Sequence, residues 1–420
     1  MKRKVHYAWV ILSVSFFGVL ASQGVRFSFG AFMESWETYF SATRGTISAV
    51  SFLSFLVFAL AQPLAGKMID QYGVRFVFVI STAIVGIGTL LTFFATSVWQ
   101  LFILYGIISS AGFGGASGVT ATVAVTKWFT AKRGLALGLV EAGFGAGQMV
   151  IVTSSIFLIE IYGWQNTVLI LGLFLLIVVC PVLALLLKSD PAEAGYEPLG
   201  GAAPPEETSI SSSGVKGNDS LPGRKFWFLL IPFFVCGVTT TGLMDTHLIP
   251  FAQYCGFSPV VTSTAVSLLA GFNILGTLLA GVLADKIDNR KILAFLYFTR
   301  ALTVLFLFVF SSQVSLMVIF VENPTLLLIF SVSFGLVDFA TVPPTVKLMS
   351  EYFKGQSLGL LTGWLFMSHQ FGSALGSFIP GLLFDQSGSY SLSFLFAVVL
   401  LIGAGVLSAL LPKTKIQANR

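Results

Sequence analysis

Charge is what this chain has least of. Only 10% of its 420 residues are Asp, Glu, Lys or Arg, against about 25% in an ordinary soluble domain. With 55% hydrophobic residues and a mean hydropathy of +0.90, a water-soluble enzyme, a nucleic-acid binder and a disordered chain are excluded. Cysteine is also scarce. Cys180, Cys236 and Cys255 have no metal-ligand spacing and lie in or near apolar stretches, so they are expected to be inert packing residues and no metal site is predicted. Catalytic patterns are missing as well: there is no nucleophile–base arrangement, HExxH, Walker loop or Rossmann fingerprint. The Gly-rich run at 112–118 follows no strand, which argues against phosphate binding. No enzymatic activity, cofactor or nucleic-acid partner is expected.

What the chain has is long apolar runs, 42 Phe and 42 Gly. Crossing a bilayer takes about 20 apolar residues in a helix. Twelve stretches qualify, near 7–33, 45–66, 76–97, 99–126, 134–159, 164–187, 225–251, 259–284, 291–311, 324–348, 356–384 and 389–411. The short alternating segments of a lipid-facing barrel do not occur. The fold class is therefore all-α and polytopic in the membrane. All Lys and Arg except Arg26, Arg44 and Arg300 fall on one side if both termini are cytoplasmic, as the positive-inside rule requires. The expected location is the plasma (inner) membrane. Of the exceptions, Arg44 is assigned to an outer loop and the others to apolar stretches. Lys2, Arg3 and Lys4 resemble the basic start of a signal peptide, but the apolar run that follows is too long. It reads as the first span.

Residues 188–223 form the only long polar segment, rich in Pro, Gly, Ser and Glu. They read as a flexible cytoplasmic linker between a bundle at 1–187 and another at 224–420. The halves look like copies. Gly66-Lys-Met-Ile-Asp70-Gln-Tyr-Gly-Val-Arg75 follows the second span, and Gly281-Val-Leu-Ala-Asp285-Lys-Ile-Asp-Asn-Arg290 follows the eighth. Trp128-Phe129 matches Tyr352-Phe353, and Gly163 matches Gly388. Matched landmarks in one order indicate internal duplication.

The G-x-x-x-D-x-x-G-x-R pattern resembles the signature of the major facilitator superfamily. The resemblance implies a cytoplasmic latch in which Asp70, Arg75, Asp285 and Arg290 are gating candidates; a tight turn with topological charge is the alternative. Tyr7-Ala-Trp-Val10, Lys127-Trp-Phe129 and Lys132-Arg-Gly-Leu-Ala-Leu-Gly138 are similar to the branch holding monocarboxylate transporters and oxalate–formate antiporters. The superfamily resemblance also implies that spans 1, 4, 7 and 10 line a central cavity, flanked by 2, 5, 8 and 11.

An ionisable group inside a span costs about 2.5–3.5 kcal/mol to insert, so each should face a cavity or a partner. Arg26, in the outer half of span 1, is the first candidate for gripping a carboxylate; snorkelling, or pairing with Glu34, is the alternative. Asp245 sits at nearly the matching place in span 7. An Arg26–Asp245 pair across the halves is expected to act as an outer gate or a proton-coupled lock. Asp338 lies near the midplane of span 10 as a candidate proton carrier, and Pro343-Pro344 is expected to break that helix. His369 is a candidate substrate ligand or proton relay, with Gln370 beside it. Glu141 and Gln148 lie seven apart on span 5, on one face; Glu141 is a candidate for proton coupling and Gln148 for substrate. Asn273 on span 8 is a further substrate contact. Many monocarboxylate transporters have an acid there, with Arg four residues later; here the places hold Asn273 and Thr277. That leaves Arg26 as the main cation. His247 divides between hydrogen bonding and cavity function. Arg300 is expected to be peripheral and structural. Tyr105, Phe29 and Trp364 could line the cavity, though packing is the simpler account of each.

The leading expectation is a secondary transporter of a small organic anion, a monocarboxylate, by proton symport or anion exchange, embedded in lipid as a monomer. An exporter of amphipathic drugs or metabolites by proton antiport is the main alternative. A non-transporting receptor or scaffold is disfavoured, because no large soluble domain is present to relay a signal.

Overall fold

The computed structural model describes residues 6–201, 223–312, 314–353 and 358–413, with the side chains of all but 314, 315 and 358–360. Among the described residues twelve helical stretches are long enough to cross a membrane. α1 is Tyr7–Phe40, bent at Ser28. α2 and α3 are the limbs of Arg44–Leu91, which meet at Gly73. α4 is Val98–Trp128. α5 and α6 belong to the run Arg133–Leu186, which turns at Gly163. Then come α7 (Arg224–Tyr254), α8 (Pro259–Ala284) and α9 (Asn289–Ser312). After a short helix at Val314–Glu322 follow α10 (Pro324–Tyr352), α11 (Leu358–Ser387) and α12 (Ser391–Ala409).

The expected loop between spans 2 and 3 is a single residue. α2 runs on through Asp70, and the chain reverses at Gly73, with φ of 81°. Only glycine adopts this backbone without a Cβ penalty. Gly163 does the same between α5 and α6, with φ of 78°. Its sequence match Gly388 also has positive φ, 68°. Trp128 and Tyr352 end α4 and α10, so the repeat landmarks occupy matching places in space.

One apolar core draws on residues between Ala8 and Leu187, another on residues between Phe226 and Leu411. Segment 188–201, expected to be a flexible linker, is docked under the first core. Tyr196 stacks on Tyr7 with centroids 5.4 Å apart, the Trp128 indole donates to the Lys188 carbonyl at 3.2 Å, and Ala131 N–H donates to Leu199 O at 2.8 Å. The aromatic and aliphatic anchors Tyr196 and Leu199 outweigh the polar composition around them. The rest of the expected linker, 202–222, lies outside the described residues.

The halves meet at mid-depth and at the face opposite the two termini. Arg44 is buried at the start of α2 rather than in a loop. Its guanidinium grips Glu37 with bonds of 2.7 and 2.9 Å, donates to the Tyr390 hydroxyl at 3.1 Å and lies 4.1 Å over the Phe384 ring. Gly45 N–H donates to the Asp385 carboxylate at 2.8 Å. A Cβ on Gly30 would stand 2.6 Å from the Thr246 carbonyl oxygen. Thr153 and Ser267 hydroxyls meet at 2.9 Å between α5 and α8. At the terminal face, ion pairs among the described residues stay within one half: Lys127 with Asp190, Arg290 with Asp288, and Lys347 with Asp285.

Candidate functional site

Small residues bring the helices close enough to assemble buried polar groups. Gly24 on α1 faces α5 so closely that a Cβ would stand 2.6 Å from the Ile151 side chain. Ser28, at the bend, bonds Ser155 of α5 at 3.0 Å. Gln23 donates to the Ala116 carbonyl at 2.8 Å, where α4 is broken, and the Tyr105 hydroxyl donates to Arg26 O at 2.9 Å. Arg26 is thereby set on a rigid junction of α1 and α4. Its guanidinium lies 4.0 Å over the Phe58 ring and 4.7 Å over Phe55. Nη1 reaches Gln23 Oε1 at 3.5 Å, and Nη2 has no partner among the described residues.

Asp245 follows a π-helical stretch, Val238–Met244, in α7. Tyr105 lies inside another (Phe102–Ser109), and Gln148 opens a third (Gln148–Val152). Such turns recur at functional sites because the extra residue re-aims the side chains around it. Gln148 Nε2 donates to Asp245 Oδ1 at 2.7 Å, and Asp245 Oδ2 is without a partner among the described residues. Arg26 and Asp245 line one small cavity with Phe27, Phe29, Ser51, Ser54, Phe55, Tyr105, Thr241 and Thr246. The expected direct Arg26–Asp245 pair is not formed among the described residues. Gln148 holds the carboxylate and the phenyl rings hold the guanidinium, so the bonds closing the opposite face belong to Arg44.

A second cluster lies in the other half. A Cβ on Gly335 would stand 2.5 Å from the Leu269 carbonyl oxygen, so α8 and α10 touch nearly backbone to backbone. Asn273 Nδ2 therefore donates to Asp338 Oδ2 at 3.0 Å, and Asn273 Oδ1 accepts from Phe339 N–H and Thr277, both at 3.3 Å. Asp338 Oδ1 is unpartnered among the described residues. α10 breaks at Asp338, with a tight turn at Phe339–Thr341, ahead of the prolines rather than after them. Pro343 and Pro344 sit in the first turn of the helix that restarts at Val342, where a missing N–H is harmless.

Arg300 is not peripheral. It is fully buried, its Nη2 donates to the Val337 and Asp338 carbonyls at the break, and Nη1 meets the Cys236 thiol at 3.3 Å. Cys236 is likewise more than packing: Thr341 is 3.3 Å from its sulfur and His369 lies against it. Asp245 lies within electrostatic reach of Arg26, His369, Cys236 and Asp338. Gln370, next in the chain, has a buried Oε1 without a partner among the described residues.

Other candidates sit elsewhere. Glu141, closer to the terminal face, accepts from Thr122 of α4. His247 bonds the Tyr390 hydroxyl at 3.2 Å and the Ser377 carbonyl at 2.7 Å, which is the hydrogen-bonding alternative. Trp364 is half exposed, whereas Phe29 and Tyr105 do line the cavity. At the terminal face Asp70 and Arg75 are exposed, and Arg75 N–H donates to Ser189 at 3.1 Å. Lys347 beside Asp285 holds that carboxyl below the usual carboxylate range. Burial pushes Asp288 up, but the Arg290 guanidinium and N–H outweigh it and leave the carboxyl low. Arg290 also donates to Leu411 O at 2.7 Å. Sequence reasoning missed Gln23, Phe55, Phe58 and Cys236, which look like packing residues until the fold sets them beside a charge.

Twelve spans folded as two cores around buried charges define a membrane transporter, not an enzyme. The chain belongs to the major facilitator superfamily, whose sequence pattern matches residues 15–341 and 312–419. It is 27% identical to the MFS-type transporter YcxA of Bacillus subtilis over 98% of this chain and 97% of that one. It is 24% identical to monocarboxylate transporter 13 of Bos taurus, over 96% and 89% of the two chains. In fold it is similar to a bacterial homologue of the human lysosomal transporter Spinster, crystallised inward-facing and unoccupied. There the TM-score is 0.72 at 15% identity, covering 97% of each chain.

Proposed function

We propose that this protein is a secondary active transporter of a small organic anion, a monocarboxylate, working by proton symport or anion exchange. The observation that carries the reading is Arg26: a buried guanidinium with aromatic faces on one side and an unpartnered Nη2 beside a cavity. A buried charged donor left without a hydrogen-bond partner is unfavourable, and a carboxylate supplies directed, charge-assisted hydrogen bonds to it. Tyr105, Gln148, Asn273, His369 and Gln370 are the further substrate contacts. Asp338, Asp245 and His369, with Glu141 toward the terminal face, carry the proton. Resemblance to monocarboxylate transporters supports the same class.

The protein lies in the plasma (inner) membrane as a monomer with both termini cytoplasmic, and the state described here is inward-facing. The bundles at 1–187 and 224–420 rock about the midplane site. Asp70, Arg75, Asp285 and Arg290 form the latch that closes the cytoplasmic face in the opposite state. In this state Asp285 and Arg290 are engaged inside their own half.

The test is uptake of labelled monocarboxylates by protein-containing liposomes under an inward proton gradient. Gradient-driven uptake that is lost in Arg26→Gln and Asp338→Asn supports proton symport at this site. Uptake only against internal anion means exchange. The aromatic lining also suits amphipathic cargo exported by proton antiport; substrate binding indifferent to Arg26→Gln favours that reading.

A further inference from the structure

The cavity holds one cationic and one anionic side chain that do not satisfy each other. Arg26 Nη2 is a buried donor and Asp245 Oδ2 a buried acceptor, both without a partner among the described residues and both beside the same space. The other atoms of each group are engaged, Arg26 with Gln23 and the Phe58 face, Asp245 with Gln148. A plain monocarboxylate answers only Arg26, and it adds a second negative charge next to Asp245. A ligand that answers both carries an acceptor and a charged donor within one small molecule.

From these two orphaned atoms we propose that the carboxylate bound at Arg26 carries an ammonium group on the neighbouring carbon: the ligand is a 2-amino acid zwitterion with an apolar side chain. The inference rests on the carboxylate reading of Arg26, keeps that carboxylate, and replaces the plain anion by a zwitterion. The carboxylate meets Arg26 Nη2, and the ammonium meets Asp245 Oδ2 in a charge-assisted hydrogen bond. Phe29 and Tyr105 offer apolar wall to the side chain. Charge closes to zero, since the ionised pair on the protein faces a ligand of no net charge. A plain carboxylate with a proton on Asp245 reaches the same sum. The two arrangements differ in which atom bears the proton, the ligand nitrogen or the Asp245 oxygen, and that difference is measurable.

The experiment is calorimetric binding of L-valine, 2-hydroxyisovalerate and isovalerate to the purified protein at neutral pH. The three share one carbon skeleton and differ only at the second carbon. Valine is expected to bind at least about tenfold more tightly than either analogue. Asp245→Asn should remove that preference, Asp245→Glu should keep part of it, and Arg26→Gln should weaken all ligands that bind. Thermal melting of each variant establishes that it is folded. Isovalerate or the hydroxy acid binding as tightly as valine, or a preference that survives in Asp245→Asn, overturns the ammonium assignment. If isovalerate then still depends on Arg26, the carboxylate reading stands alone. If none of the three binds the folded protein, both readings fall.

Discussion

Three guanidinium groups are buried among the described residues: Arg44 closes the face opposite the termini, and Arg26 and Arg300 are set apart by their surroundings. Both terminal nitrogens of Arg300 are engaged, by the carbonyls exposed where α10 breaks and by Cys236, which leaves only Nε without a partner among the described residues, so it is a structural clamp. Arg26 keeps one nitrogen free beside the cavity. Arg300→Met is expected to lower stability by about 3–5 kcal/mol, the cost of breaking a buried charged network by removing one partner, read from thermal unfolding in detergent. Arg26→Lys keeps a charge but loses the planar fork and the stacking on Phe58. It should weaken substrate binding about tenfold or more while leaving the melting temperature near wild type. A melting curve that collapses for Arg26→Lys and not for Arg300→Met would reverse the two roles. Arg26, Asp245, Asn273, Asp338 and His369 were legible in the sequence because polar groups stand out in apolar runs. Cys236 and Phe58 were not, since nothing in their own neighbourhood marks them, and Gln23, though polar in an apolar run, stood in the shadow of the charge of Arg26 three residues on. Their significance depends on which residue another helix sets opposite.

At the scale of elements, the spans were readable because hydropathy sets them, and the repeat because its glycines recur. Where helices bend was not. α10 breaks at Asp338, since a proline pair in a restarted first turn is no obstacle. The π-helical stretches before Asp245, at Gln148 and around Tyr105 have no local sequence signal. The contact of α1 with α7 gives a direct test. Gly30 leaves no room for a branched side chain against the Thr246 carbonyl, so Gly30→Val should wedge apart the face opposite the termini. Spin labels at Ser41 and Gln386, both exposed on that face, should report a longer distance in Gly30→Val than in wild type. An unchanged distance would mean that the seam accommodates the bulk.

For the whole molecule, closure at one face rests on a compact set of bonds: Glu37 and Arg44 from one half, Phe384, Asp385 and Tyr390 from the other. Arg44→Met removes the bidentate pair, the Tyr390 bond and the stacking together. With the same labels it should shift the population toward an open face, whereas Arg44→Lys should shift it less. An identical distance distribution in both would assign the closure to the glycine contacts instead. Arg26 and Asp245, aligned by repeat position, do line one cavity, but among the described residues no direct bond joins them, because Gln148 takes the carboxylate. The docking of residues 188–201 has a practical side. Because Tyr196 and Leu199 belong to the first half, a version made as two polypeptides should be divided after Gly201 and not at Lys188. Cut there, each fragment keeps all the contacts described for it, and the two can be asked to find one another as separate chains.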